Sequence, residues 1–303
     1  MKLNKIFAAA LGLIVVIAII SVPGCKKPLT GIYNVDGYIS STDYPLSEAS
    51  VLRAAEKFNK VRDDYLSGMN VYYAVIPDKN YFLAERNGYA ALDYAAMLDM
   101  LRQNLVDMSY IDIFDTLSIE SYYFTDIHWR QEKITSTAEK LLHEMGSPRA
   151  AGIGYTENRL FPFRGSFYNE YAEPETLIYL TGGSIDGASV YNHQSEERLT
   201  VYDADKFGDN GNDGYNVFLS GPVPLITIET AGGAGKELLL FRDSFGSSIA
   251  PLLLEGYSKI TLIDLRYIYS GILDSFIDFE KSENQDVLFL YGTQVLNNSF
   301  MFK

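Results

Sequence analysis

Apolar positions along this chain follow two rhythms, and the switches between them lay out an alternating fold. From Ser47 to Leu66, Val51, Leu52, Ala55, Phe58 and Val61 recur near the helical period, with Ser47 placed to cap the start. Val71–Ile76 is instead a short apolar, β-branched run stopped by Pro77, the pattern of a buried strand. Asp93 to Leu105 predicts a second helix with Met97, Leu98, Leu101 and Leu105 inward, and Tyr110–Phe114 a second strand. Strand, helix and strand in that order predict a right-handed crossover and a parallel sheet.

A loop carrying Asp126, Ile127, His128 and Trp129 then opens a helix from about Arg130 to Met145, ended by Gly146 and Pro148. Residues 151–228 have a different texture: tyrosines, threonines and apolar residues alternate between glycine and Asp/Asn turns. This predicts a β-rich insertion of hairpins in the α/β core. Glu237–Phe241 reads as a strand ending at Arg242-Asp243-Ser244, followed by a helix from about Gly246 to Glu255. Lys259–Asp264 and Asp286–Tyr291 predict two further sheet strands, and no internal repeat is present. Gly232-Gly233-Ala234-Gly235-Lys236 has Thr230 where a phosphate loop begins with glycine and Glu237 where it needs Ser/Thr, so it reads as a hairpin turn.

The start of the chain changes the setting. Lys2 and Lys5 precede an apolar run from Ile6 to Ile20, then Val22-Pro23-Gly24-Cys25, the layout of a secretory signal. The run is short for a spanning helix. Residues 1–25 resemble a lipoprotein signal in which Cys25 becomes the lipidated N-terminus, with an uncleaved anchor as the alternative because Pro23 is unusual there. Residues 26–45, rich in Pro, Gly and Ser, read as a tether, and 46–303 as one catalytic-sized domain. Cys25 is the only cysteine, which excludes an internal disulfide and a thiol nucleophile in the mature domain. A net charge of −14 without any basic run argues against a nucleic-acid partner. The 23 tyrosines suit sugar rings, and equally suit strands and core.

Two clusters carry chemistry. On an extended segment Asp126 and His128 face the same way, so the carboxylate can fix one ring nitrogen while the other points at a nucleophile. Ser244 sits on a strand-to-helix turn, where a hydroxyl is exposed and backbone N–H groups converge on a developing oxyanion, with Asp243 bracing the turn. Trp129 would shield one flank. The plain alternatives are helix caps: Asp126 for the helix that follows, Asp243 or Ser244 for the next. The chain has three histidines; His143 falls at the solvent end of a helix and His193 in a polar loop, so no metal spacing and no cofactor motif emerges.

Thr125-Asp126-Ile127-His128-Trp129 before a helix, and a strand ending in Arg242-Asp243-Ser244-Phe245-Gly246, resemble the bacterial DHHW family. Ile76-Pro77-Asp78-Lys79, Pro162-Phe163-Arg164-Gly165, Phe218-Leu219-Ser220-Gly221, Ile263-Asp264-Leu265-Arg266-Tyr267 and Leu288-Phe289-Leu290-Tyr291 extend the likeness over most of 46–303. That family is similar to the acyltransferase domain of alginate O-acetyltransferases, a permuted relative of SGNH/GDSL hydrolases. The resemblance implies an SGNH hydrolase-like (flavodoxin-like) parallel sheet sandwiched by helices. It also implies Ser244 as nucleophile, His128 as base and Asp126 as its orienting acid. Ile127 departs from the first histidine of the family signature and Arg242 from the glycine of a GDS motif, which puts the oxyanion geometry in question. Gly165 through a backbone N–H, Tyr291 through its hydroxyl and Arg266 through charge are further candidates for the oxyanion or the substrate, and Lys79 is ambiguous. The expected function is O-acyl transfer or ester hydrolysis on acetyl groups of a cell-surface polysaccharide, without a cofactor. The alternative is a non-catalytic carbohydrate-binding lipoprotein of the same fold.

Overall fold

The computed structural model describes residues 31–42, 45–147, 154–169, 172–208, 211, 213–232, 235–279 and 284–303. The signal segment and Cys25 lie outside the described residues. Part of the expected tether is instead folded. β1 (Ile32–Val35) and β2 (Tyr38–Ser41) form an antiparallel hairpin. It is held because Asn80 accepts from the Tyr33 hydroxyl at 2.5 Å and from Ser40 Oγ at 3.2 Å, while Ile39 is buried.

α1 (Glu48–Val61) starts at Ser47, whose side chain accepts from the Ser50 N–H as expected. β3 (Asn70–Ile76), α2 (Lys79–Leu83) and α3 (Tyr94–Asn104, capped by Asp93) follow. The second strand is shorter than its apolar run predicts. β4 is only Ser109–Tyr110, because the Asp112 side chain takes the Phe114 N–H and turns the chain. The helix expected from Arg130 is delayed too. Gln131 is buried, donating to the Ser248 carbonyl and accepting from the Leu180 N–H, so α4 runs from Thr135 to Glu144.

β5 (Thr156–Phe163) and β6 (Glu175–Thr181) make a separate antiparallel pair. β7 (Ser189–Asn192), β8 (Glu197–Leu199) and β9 (Leu225–Glu229) join the main sheet with β10 (Glu237–Arg242), β11 (Lys259–Ile263) and β12 (Gln285–Gly292). α5 (Gly246–Leu253) follows β10 and α6 (Thr293–Leu296) follows β12. The insertion therefore splits: its first hairpin stands apart, and its later strands extend the sheet.

The sheet order is β4-β3-β12-β10-β11-β9-β7-β8. The first five strands are parallel, as expected, and the last three are antiparallel, so the sheet is mixed. Strand alternation sends Leu238, Leu240, Leu288 and Leu290 to one face, against Leu141 of α4 and Ile249 of α5. Leu239, Phe241, Phe289 and Tyr291 go to the other face, against Phe58 of α1 and Met97 of α3. Each fully buried side chain of this size contributes about 1.5–3 kcal/mol. A third cluster, with Tyr123, Phe163, Tyr215 and Phe218, packs the β5–β6 hairpin beside the carboxyl end of β10.

Candidate active site

β10 lies inside the parallel part of the sheet, so the turn at its carboxyl end opens where such sheets bind ligands. Asp243 fixes that turn. Its Oδ1 accepts from the Phe245 N–H at 3.0 Å and its Oδ2 from the Gly292 N–H at 2.7 Å, tying the turn to the end of β12. Gly246 is required by contact with Arg242: a Cβ there would lie 2.6 Å from the Arg242 Cβ. The Arg242 stem thus fills space against the turn. Its guanidinium is fully buried, donating to the carbonyls of Val223 and Asp243 and lying 3.6 Å from Asp264, and it brings no cation into the site.

The histidine comes from a loop closed by a bridge between Tyr122 and Trp129 and by the Tyr123 N–H to the His128 carbonyl. Asp126 Oδ1 accepts from the His128 backbone N–H at 3.0 Å and lies 2.5 Å from Nδ1. The other carboxylate oxygen takes the Ser166 N–H at 2.8 Å. His128 Nε2 lies 2.7 Å from Ser244 Oγ. A carboxylate on Nδ1 assigns the proton there and leaves Nε2 to accept from the serine hydroxyl. Burial pushes the Asp126 carboxyl up, but its electrostatic interaction with the His128 imidazole and the hydrogen bonds from His128 and Ser166 hold it well below the usual carboxylate range. The three side chains come together in the order carboxylate, imidazole, hydroxyl.

The flank expected of Trp129 is filled by Tyr215, which stacks on the imidazole, with Phe245 tilted against the same ring at 4.9 Å. Trp129 is fully buried one layer further in, edge-on to Phe245. Trp129 Nε1 and the Tyr215 hydroxyl both donate to Ser248 Oγ, at 2.8 and 2.7 Å, so one serine of α5 sets both rings.

Ser244 opens into a cavity of about 560 Å³, within the usual range for small-ligand sites, walled by Phe163, Arg164, Tyr168, Asn216 and Pro222. Among the described residues, the Ser244 N–H and the Asn216 carboxamide make no hydrogen bond. Both residues line the cavity into which the Ser244 hydroxyl opens. A second cleft of about 300 Å³, around His193, Thr227 and Lys259, lies toward the opposite ends of β10 and β11.

Two expected participants, Arg266 and Tyr291, do not line this cavity, and a third, Gly165, lines it with its N–H already engaged. The Gly165 N–H donates to Thr125 Oγ1 at 3.1 Å, so it is no oxyanion donor; Gly165 is needed because a Cβ would fall 2.4 Å from Asp126 Cβ. Arg266 is committed to Asp264 by two side-chain hydrogen bonds of 2.8 and 2.7 Å. Tyr291 is buried on the opposite face of the sheet, stacked on Phe58. His193 bonds Thr227 and His143 is exposed, both away from Ser244. Among the described residues no cluster of three or more His, Cys, Asp or Glu is placed to hold a metal ion. Sequence did not single out Tyr215, Asn216, Ser166, Ser248 or Glu175. Tyr215 and Asn216 lie just before Phe218-Leu219-Ser220-Gly221, the one signal that pointed to them.

No family model and no curated protein matches the chain. Solved structures do. A DHHW family protein from Eubacterium siraeum has 22% identity and a TM-score of 0.70, over 91% of this chain and 94% of that one. PatB1 of Bacillus cereus, in a structure with a sulfonyl adduct, has 20% identity and a TM-score of 0.66, over 88% and 96%. The O-acetyltransferase domain of Pseudomonas putida AlgJ has 13% identity and a TM-score of 0.54, over 88% and 92%. These likenesses define the fold class: a mixed α/β protein that shares its fold with the AlgJ O-acetyltransferase domain. The resemblance to the DHHW family read from the sequence thus reappears in the backbone, over nearly the whole chain.

Proposed function

We propose that this protein is an exported, membrane-anchored serine O-acyltransferase or esterase with an SGNH-like catalytic domain, acting on acetyl esters of a cell-surface polysaccharide. The observation that carries the reading is the His128 imidazole bridging Asp126 at 2.5 Å and Ser244 at 2.7 Å. A serine hydroxyl is a poor nucleophile until a base takes its proton. His128 Nε2 takes that proton as Ser244 Oγ bonds to the acetyl carbonyl carbon, and Asp126 supports the imidazolium. The oxyanion is met by the Ser244 N–H and Asn216. The ester C–O bond then breaks, and His128 returns the proton to the departing alcohol. In the second half a sugar hydroxyl or water gives its proton to His128 as its oxygen bonds to the acyl carbon, and His128 returns that proton to Ser244 Oγ as the acyl C–Oγ bond breaks. Half-buried Tyr168 in the cavity wall suits a sugar ring. The fold shared with an O-acetyltransferase domain supports the same chemistry.

The test incubates purified protein with an acetyl-ester reporter and with acetylated oligosaccharide, beside Ser244→Ala. Acetate release or transfer that vanishes in the variant upholds the reading; equal activity in both proteins removes Ser244 as nucleophile. Anchoring is tested separately: labelled fatty acid should enter the protein in cells and be lost in Cys25→Ala.

A further inference from the structure

The loop that carries Asp126 is gripped from outside by a buried cation and a buried anion. Lys79, the first residue of α2, donates from Nζ to the carbonyls of Tyr123 at 3.1 Å and Phe124 at 3.2 Å, under the ring of Phe167. Glu175, the first residue of β6, accepts from the N–H groups of Phe124 at 2.8 Å and Thr125 at 2.7 Å, and from Thr125 Oγ1 at 2.8 Å. The two consecutive peptide units, Tyr123–Phe124 and Phe124–Thr125, are therefore each held with the carbonyl on the lysine and the N–H on the glutamate. Asp126 is the next residue. Both side chains are buried, Lys79 at 2% exposure, and among the described residues Lys79 has no carboxylate within ion-pair distance. A buried ammonium without a paired carboxylate is an expensive way to satisfy two carbonyls. Its placement makes sense through what it fixes.

We propose that Lys79 and Glu175 are positioning residues that lock the Asp126 loop so that its carboxylate meets His128 Nδ1 in the reactive geometry. The inference rests on the triad reading above. An orienting carboxylate works only when it holds the ring within a few tenths of an ångström, and a misplacement of about 1 Å lowers turnover about 100-fold. Burial lowers the Lys79 ammonium from the ordinary 10.5 to about 8, against the opposing charges of Asp126, Glu175 and Asp78, the charged groups that face it. The clamp is cationic at neutral pH and weakens as pH rises through about 8.

Full-length Lys79→Met, Lys79→Arg and Glu175→Gln are compared with wild type in two measurements. The first is the pH profile of kcat and KM on the acetyl-ester reporter. Lys79→Met should lower kcat about 100-fold with KM nearly unchanged, and Lys79→Arg, which keeps its charge, should move the alkaline decline upward. The second is the low-field proton resonance of the His128–Asp126 hydrogen bond, recorded in a Ser244→Ala background so that it needs no turnover. It should broaden or vanish in Lys79→Met and in Glu175→Gln, the isosteric variant that guards against a folding failure at position 79. An intact resonance together with unchanged kcat overturns the proposal. A wild type that turns over no ester, but loses the resonance on substitution, upholds the positioning role and sinks the catalytic reading.

Discussion

The imidazole of His128 lies flat against the phenol ring of Tyr215, with centroids 3.7 Å apart and planes 6° from parallel. The ring both excludes water from one face of the base and prevents it from swinging off Ser244. The Tyr215 hydroxyl matters less, because Ser248 is also held by Trp129. Tyr215→Phe loses one hydrogen bond, about 1 kcal/mol, and should keep kcat within about fivefold. Tyr215→Ala removes the stacked face and leaves a cavity. It should lower kcat about 100-fold and stability by about 3–5 kcal/mol. Steady-state kinetics with denaturant titration separates the two; wild-type kcat in the alanine variant would remove Tyr215 from the mechanism.

Gly165 is a spatial requirement. Its neighbours at the position of a Cβ are Asp126 Cβ at 2.4 Å, the Thr125 carbonyl oxygen at 2.4 Å and the Asp126 nitrogen at 2.5 Å, so the backbone must shift to admit alanine. Gly165→Ala should cost about 1–3 kcal/mol by overpacking, and it displaces the orienting carboxylate directly, so turnover should fall about 100-fold. Gly154→Ala is the control, with open space at its Cβ. A fully active Gly165→Ala protein would show that the loop tolerates movement.

Much of this arrangement is legible in the sequence because the elements bearing Ser244 and Asp126 are local. Four consecutive apolar residues in a strand, a turn and an apolar helix announce the serine, and a two-residue spacing pairs the acid with the base. Tyr215 and Asn216 stand in a 3₁₀ turn, where neither period applies, and Ser166 acts through a backbone N–H that any residue carries. Glu175 meets its partners 50 and 51 residues away. Tyr291 was misplaced for a different reason. Every residue of β12 is buried, so hydrophobicity does not reveal which face an odd or even position takes. Its parity with Phe289 puts it against α1, away from His128.

Arg266 makes the corrected assignment measurable. Its guanidinium holds Asp264, which is fully buried and, among the described residues, otherwise meets the Arg266 backbone N–H at 3.1 Å and Arg242 at 3.6 Å. Removing one partner of a buried pair costs about 3–5 kcal/mol. Arg266→Ala should lower the urea midpoint accordingly, and the protein that remains folded should turn over the reporter with unchanged KM. A raised KM at intact stability would return Arg266 to the substrate site.

Lys79 separates stability from activity along the pH axis. Its ammonium sits at about 8 in the folded protein, from 10.5 ordinarily, because burial disfavours the charge. Below about pH 8 both folded and unfolded chains are protonated there, and the folded state carries the full burial penalty. Between about 8 and 10.5 the unfolded chain holds the proton and the folded one has released it, so unfolding takes up a proton and stability rises with pH. The gap of about 2.5 pH units corresponds to about 3 kcal/mol across that window. Wild type minus Lys79→Met, measured by urea unfolding at pH 7 and pH 10, isolates this contribution from tyrosines titrating in both proteins. The difference should move by about 3 kcal/mol in favour of wild type on going to pH 10, over the same range in which its turnover declines. A difference that is flat with pH would mean that Lys79 keeps an ordinary proton affinity in the fold. The alkaline decline would then have to come from another group.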